Sequence, residues 1–126
     1  MRAVDANVLL RLIVQDDPQQ LAEAHRFVER GVWASHLVLA ETIWTLRTAY
    51  AFEHAEIADI IDLLLKHESL VLQDPDVVAA ALDQYRRRPS LGFSDCLILE
   101  TARKAGHLPL GTFDKALGRL DGAERL

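Results

Sequence analysis

The sequence predicts an α/β fold: a three-layer α/β/α sandwich built on a mainly parallel sheet of roughly five strands. Three observations predict it. Short strand-like runs alternate with helix-like runs along the whole chain, the pattern of strand–helix–strand units that covers both faces of a parallel sheet. Helix-opening and helix-ending residues fall at the junctions between those runs. The length of 126 residues, with no repeat and no Pro/Gly/Ser-rich linker, fits residues 1–126 as a single domain.

Arg2-Ala3-Val4 is a short extended start, and Val8-Leu9-Leu10 with Leu12-Ile13 reads as the first helix. Asp17-Pro18-Gln19-Gln20 opens the second, with Asp17 as cap and Pro18 in the first turn. Leu21, Ala24, Phe27 and Val28 form its apolar face, and Gly31 ends it. Val32–Ser35 is a second strand leading into a helix with Leu39, Ile43, Leu46 and Tyr50 on its core side. Ile57, Ile60, Ile61 and Leu64 mark the next helix, and Leu70-Val71-Leu72 the third strand. Asp74-Pro75 opens a helix bearing Val77, Val78, Ala81, Leu82 and Tyr85, which runs out at Arg86-Arg87-Arg88-Pro89, where cations suit a helix C-terminus. Ser94 is the expected cap of a helix through Ile98, Leu99 and Ala102 to Gly106. Leu108–Thr112 is the fourth strand, followed by a short helix and an edge strand near Leu126.

Composition narrows the function. Nineteen acids against 14 Lys+Arg give a net charge of -5, which argues against holding nucleic acid mainly through bulk positive charge. One local patch on a metal-dependent enzyme stays compatible with it. The single cysteine, Cys96, allows neither an internal disulfide nor a thiolate zinc cage and suits a reducing cytoplasm. The longest apolar run, Val77–Leu82, is far too short to span a membrane, and Asp5 and Arg11 interrupt any secretory h-region. Among His25, His36, His54, His67 and His107 there is no helical i,i+3 or i,i+4 pair, so a local His–metal motif is absent. Glycine-rich phosphate loops are absent as well, and Gly92-Phe93-Ser94-Asp95-Cys96 lacks the closing glycine of a nucleophile elbow.

What remains is acidic residues at the ends of strands, where parallel α/β sheets place their sites. Asp5 follows the first strand, Glu41 lies in the first turns after the second, Asp95 opens the helix after Gly92-Phe93, and Asp114 follows the fourth strand. Each also has a plain structural use: Asp5 and Asp114 as helix caps, Asp95 as a dipole partner in a first turn, and Glu41 as a solvated residue. Their order and neighbours carry the functional case. Val4-Asp5-Ala6-Asn7-Val8-Leu9-Leu10-Arg11, Ala40-Glu41, Phe93-Ser94-Asp95-Cys96-Leu97-Ile98 and Thr112-Phe113-Asp114-Lys115 together resemble the PIN-domain ribonucleases, and within them the VapC-type toxins of bacterial toxin–antitoxin pairs. The likeness spans nearly the whole chain. Its departures are Cys96 where Ala is usual, Leu117 where an aromatic is common, and a charged final stretch, Ala123-Glu124-Arg125-Leu126.

The resemblance implies a catalytic quartet of Asp5, Glu41, Asp95 and Asp114, with Asp5, Asp95 and Asp114 as metal ligands and Asn7 and Thr112 as supporting polar positions. Carboxylates forced together repel, and a hard cation such as Mg²⁺, with Mn²⁺ as substitute, relieves that repulsion through oxygen ligands. The expected reaction is Mg²⁺-dependent hydrolysis of RNA phosphodiesters. Arg11 and Lys115 are the expected substrate contacts, from a wider set that includes Arg47, Arg86–Arg88, Arg103 and Lys104. The resemblance further implies a cognate antitoxin and a homodimer; Trp44 and Leu37, off the core stripe of their helix, offer apolar surface for such partners. Two alternatives compete. One is a non-catalytic α/β interaction module whose acids only cap helices. The other is a receiver-type phosphoryl-transfer domain, for which Asp16-Asp17 come too late after the first strand, although Asp74 and Lys115 could serve.

Overall fold

A computed structural model describes residues 1–126. The α/β class with parallel strands and six helices is observed. The chain divides into two compact units, Met1–Pro75 and Asp76–Leu126.

The first unit holds β1 (Arg2–Ala3), α1 (Ala6–Val14), α2 (Pro18–Val28), β2 (Val32–Ala34), α3 (His36–Thr48), α4 (His54–Lys66) and β3 (Leu70–Leu72). The strands pair in parallel in the order β1-β2-β3, with Ala3 opposite Trp33 and Trp33 opposite Val71. Alternation along the central strand sends Val32 and Ala34 into the core beside Leu70 and Leu72, while Trp33 and Val71 stay partly exposed. Leu9 and Leu10 of α1, Leu39 and Leu46 of α3, and Ile57 and Ile61 of α4 complete that core.

Local chemistry sets where these helices begin. Asp17 accepts from the Gln20 backbone N–H (3.1 Å) ahead of Pro18, as the sequence predicts. Ser35 Oγ accepts from Val38 N (3.1 Å) and starts α3 one residue after β2 ends. Replacing Ser35 by Ala is expected to cost about 1 kcal/mol, read as a lower urea midpoint with an unchanged m-value. A Glu53–Glu56 capping box opens α4, a start that the sequence reading did not identify. Phe27 departs from its expected core position. It is 36% exposed, and the Arg2 guanidinium lies 3.7 Å from its ring centroid.

The second unit contains α5 from Asp76 onward (the whole helix runs Pro75–Arg87), α6 (Phe93–Ala105), β4 (Leu110–Thr112), a single 3-10 turn (Leu117–Arg119) and β5 (Ala123–Arg125). Tyr85 and Phe93, both buried, meet edge to face with centroids 5.9 Å apart across the α5–α6 connection. Lys104 Nζ bonds Asp76 Oδ1 (3.0 Å) and ties the end of α6 to the start of α5; this contact lowers the Asp76 carboxyl below its ordinary range. The expected edge strand near Leu126 is present as β5, paired in parallel with β4. The strands pair as a set of three and a set of two, and none exceeds three residues.

Three local expectations are corrected here. Ser94 does not cap α6: the helix begins a residue earlier, at Phe93, with Gly92 at the cap position and no side-chain cap bond. Ile98 is exposed, and the buried face of α6 is Phe93, Cys96, Leu97, Leu99 and Glu100. The fourth strand starts at Leu110 rather than Leu108. Gly118 is required by close approach, since a Cβ there would stand 2.7 Å from the Arg125 Cβ.

Candidate functional site

In the first unit Asp5 follows β1 directly, the Val4 amide still bonding across to Trp33 (3.1 Å). It caps α1 by accepting from Val8 N through Oδ1 (3.2 Å), and it is exposed, with Oδ2 free of any protein hydrogen bond. Asn7 follows in the first turn and is exposed, and Arg11 lies one turn further along the same face. Arg11 Nη1 is held by Asp16 at 2.9 Å. Glu41 stands exposed on α3, which packs against α1. Trp44 and Leu37 of the same helix are 69% and 78% exposed, as their spacing predicts.

Where β2 and β3 end, His36 and Gln73 lock together. The His36 amide donates to Gln73 Oε1 (2.9 Å), and His36 Nε2 donates to the Gln73 carbonyl (2.8 Å). The two residues are 37 positions apart, so no local sequence signal could have paired them.

In the second unit Asp95 lies within reach of the charge of Asp114. Asp95 is half-buried in the first turn of α6, and burial raises its carboxyl above the ordinary range. The negative charge of Asp114 raises it further. Asp114 is positioned by its neighbours: its amide donates to Thr112 Oγ1 (3.0 Å), and its Oδ2 accepts from Leu117 N (2.7 Å) at the start of the 3-10 turn. Thr112 thus meets the Asp114 backbone and not its carboxylate. Lys115 is exposed beside Asp114.

A carboxylate kept under the charge of a second one gains when a cation binds beside it. The donors are all hard oxygens, and Mg²⁺ is commonly held by one or two carboxylates while retaining several waters. The Asp95–Asp114 pair therefore fits such an ion by charge and donor type, although no set of three or more His, Cys, Asp or Glu side chains gathers at metal-holding distance. Thr112→Val, which removes the hydroxyl that accepts from the Asp114 amide, is expected to lower Mn²⁺ affinity about tenfold or more, on the scale of a supporting contact. Isothermal calorimetry checks it; unchanged affinity would show that Thr112 does not position the carboxylate.

Other candidates are already engaged. Arg103 Nε bonds Glu100 Oε1 (3.1 Å) and its Nη2 bonds the Asp121 carbonyl (2.7 Å), so it ties α6 to the β5 turn instead of waiting for phosphate. Gly122, at φ +90°, packs there so closely that a Cβ would sit 3.0 Å from that guanidinium. Lys104 is taken by Asp76, and Arg87 by Asp83 (2.7 Å). Cys96 is buried, and burial pushes its thiol up to about 11, which keeps it an inert core residue. The receiver-type reading loses its acidic pair: Asp16 holds Arg11 and Asp17 caps α2.

No helix of the chain is long and apolar enough to cross a membrane. No curated relative matches the sequence. The family model of the PIN domain matches residues 2–123, a span that includes Asp5, Glu41, Asp95 and Asp114 together with the parallel strands and helices that carry them. By that match over nearly its entire length, the chain belongs to the PIN domain family.

Proposed function

We propose that this protein is a Mg²⁺-dependent endoribonuclease, the toxin component of a toxin–antitoxin pair, and that Asp5, Glu41, Asp95 and Asp114 serve one site. The observation that carries the reading is the PIN-domain match over residues 2–123, supported by Asp95 and Asp114, whose charges interact in the second unit. PIN domains are typically metal-dependent nucleases.

Asp95 and Asp114 would hold the cation with Asp5 as a further ligand, and Glu41 would complete its surroundings or orient water. Bound there, the ion supplies charge neutralisation at the phosphodiester and a water of lowered pKa. The chain's own residues do the rest. Thr112 accepts from the Asp114 amide and steadies that residue, Asn7 stands exposed in the turn that Asp5 caps, and Lys115 and Arg11 meet the phosphates that flank the scissile bond. Arg11 is suited to that task because Asp16 fixes one of its nitrogens and leaves the rest of the guanidinium available.

The toxin reading adds a cognate antitoxin and a homodimer in the cytoplasm. The exposed Leu37 and Trp44 on α3 support it, since aromatic and aliphatic side chains left in water favour burial against a partner. A non-catalytic module remains the competing reading, favoured by the capping bonds that Asp5 and Asp114 both make. Cleavage assays on single-stranded RNA separate the two. The nuclease reading expects activity with Mg²⁺, none with EDTA, and loss in Asp5→Asn. Full metal-dependent cleavage by Asp5→Asn, in a preparation free of contaminating ribonuclease, would overturn it.

A further inference from the structure

Between α1 and α2 the first unit has a cleft of about 330 Å³, near the lower end of the range for small-molecule pockets and sized for one ring system. Val8, Ala24 and Phe27 make its apolar wall. Asn7, Gln20 and Glu23 stand around it, and none of these three side chains makes a hydrogen bond or ion pair within the protein. Arg11 closes one side with its guanidinium anchored on Asp16. Helical spacing explains the construction: Gln20, Glu23, Ala24 and Phe27 form one stripe of α2, and Asn7, Val8 and Arg11 one stripe of α1.

The ring of Phe27 is held without core packing. Arg2, which does not line the cleft, places its guanidinium 3.7 Å from the ring centroid and donates to the Phe27 carbonyl (3.0 Å). A partly exposed aromatic ring fixed in this way beside unspent polar groups suits a planar ligand with apolar faces and hydrogen-bonding edges. A polyanion would meet the Glu23 carboxylate, and an aliphatic ligand would leave three polar side chains unsatisfied.

We propose that this cleft is a nucleobase subsite for single-stranded RNA, one that prefers guanine. The proposal rests on the ribonuclease reading and deepens it, because Asn7 lies two residues beyond Asp5 in the same helical turn. Guanine presents two adjacent donors, N1–H and the exocyclic amino group, which a single carboxylate accepts together. Uracil places two carbonyls around one N–H and is repelled by the same carboxylate. Bases splayed out of a single strand expose these edges and stack on aromatic rings. Glu23 is then the residue that sets base preference, Phe27 the stacking platform, and Arg11 the contact to the adjoining phosphate.

The test titrates GMP, AMP, CMP and UMP into ¹⁵N-labelled protein in EDTA and follows amide shifts. The expected result is that GMP moves the backbone of Val8 and Ala24 and the side-chain amides of Asn7 and Gln20, and binds at least about tenfold more tightly than UMP. Glu23→Ala should level the four bases, and Phe27→Ala should weaken all of them about tenfold, the scale of a lost base–aromatic stack. Both residues are exposed, so neither change threatens the core. Absence of shifts at millimolar nucleotide, equal binding of GMP and UMP, or indifference to both variants would overturn the proposal. Mn²⁺ broadening of the Asp5 and Asp95 amides, measured separately in EDTA-free protein, tests the metal site independently: lost broadening with intact GMP binding refutes only the nuclease reading, and the converse refutes only the cleft.

Discussion

Asp95→Asn is expected to lower Mg²⁺-dependent RNA cleavage by on the order of 10²–10³-fold, the scale on which removing one preorganised electrostatic group acts. The same change should stabilise the metal-free protein at pH 7. The sign follows from the raised Asp95 carboxyl. Between the ordinary value of 3.8 and its raised value, the folded state holds more proton than the unfolded chain, so stability falls as pH rises through that window. Above it the whole penalty persists, and Asn removes it. Thermal melts at pH 7 should therefore show Asp95→Asn above wild type, with the gap closing near pH 4 and shrinking when Mn²⁺ stabilises the wild type. Stability given up at a site that must bind charge is a common trade in enzymes. A variant that melts lower than wild type at pH 7 and higher near pH 4 would reverse the assigned electrostatics.

Leu9→Ala is expected to produce the largest loss of stability, about 2–5 kcal/mol, because Leu9 is completely buried and the packing around it can collapse only in part. Domains of this kind are typically stable by only about 5–15 kcal/mol, so the variant should unfold at a much lower urea concentration. The site should feel it too. Leu9 anchors the helix that Asp5 caps, and a loosened α1 leaves Asp5 and Asn7 less fixed. Mn²⁺ affinity should fall even though no ligand has changed. A loss under about 1 kcal/mol would mean that α1 is not held by its buried face.

Local side-chain chemistry made much of the fold legible. Asp17-Pro18 and Asp74-Pro75 mark helix starts where they are found, because a cap or a proline acts within a few residues of its own position. Long-range contacts overrode the local signal elsewhere. Phe93 is buried edge to face on Tyr85 as the first residue of α6, so Ser94 lies inside the helix and not at its cap. Phe27 has the spacing of a core residue, yet Arg2, 25 positions away, covers it instead. Arg103 looked like a phosphate contact because nothing local shows that the Asp121 carbonyl and the buried Glu100 claim it.

The candidate site was legible as an ordered set of motifs. Asp5 and Asp114 accept from backbone amides at the start of a helix or helical turn, and Asp95 stands in the first turn of α6 where the helix dipole favours a carboxylate. Two uses of one position explain why the residues taken singly are ambiguous. Asp95 makes no cap bond and its carboxyl feels the charge of Asp114, so capping alone does not account for that residue. The base-sized cleft beside Asn7 was not legible, because it depends on how α1 and α2 pack.

Calorimetric titration of Mn²⁺ into the wild type, Asp5→Asn and Asp95→Asn tests most directly whether residues 90 positions apart in the sequence serve one ion. Millimolar or tighter binding by the wild type, lost in both variants while their melts stay cooperative, is the predicted result. Wild-type affinity retained in Asp5→Asn would contradict the shared metal site.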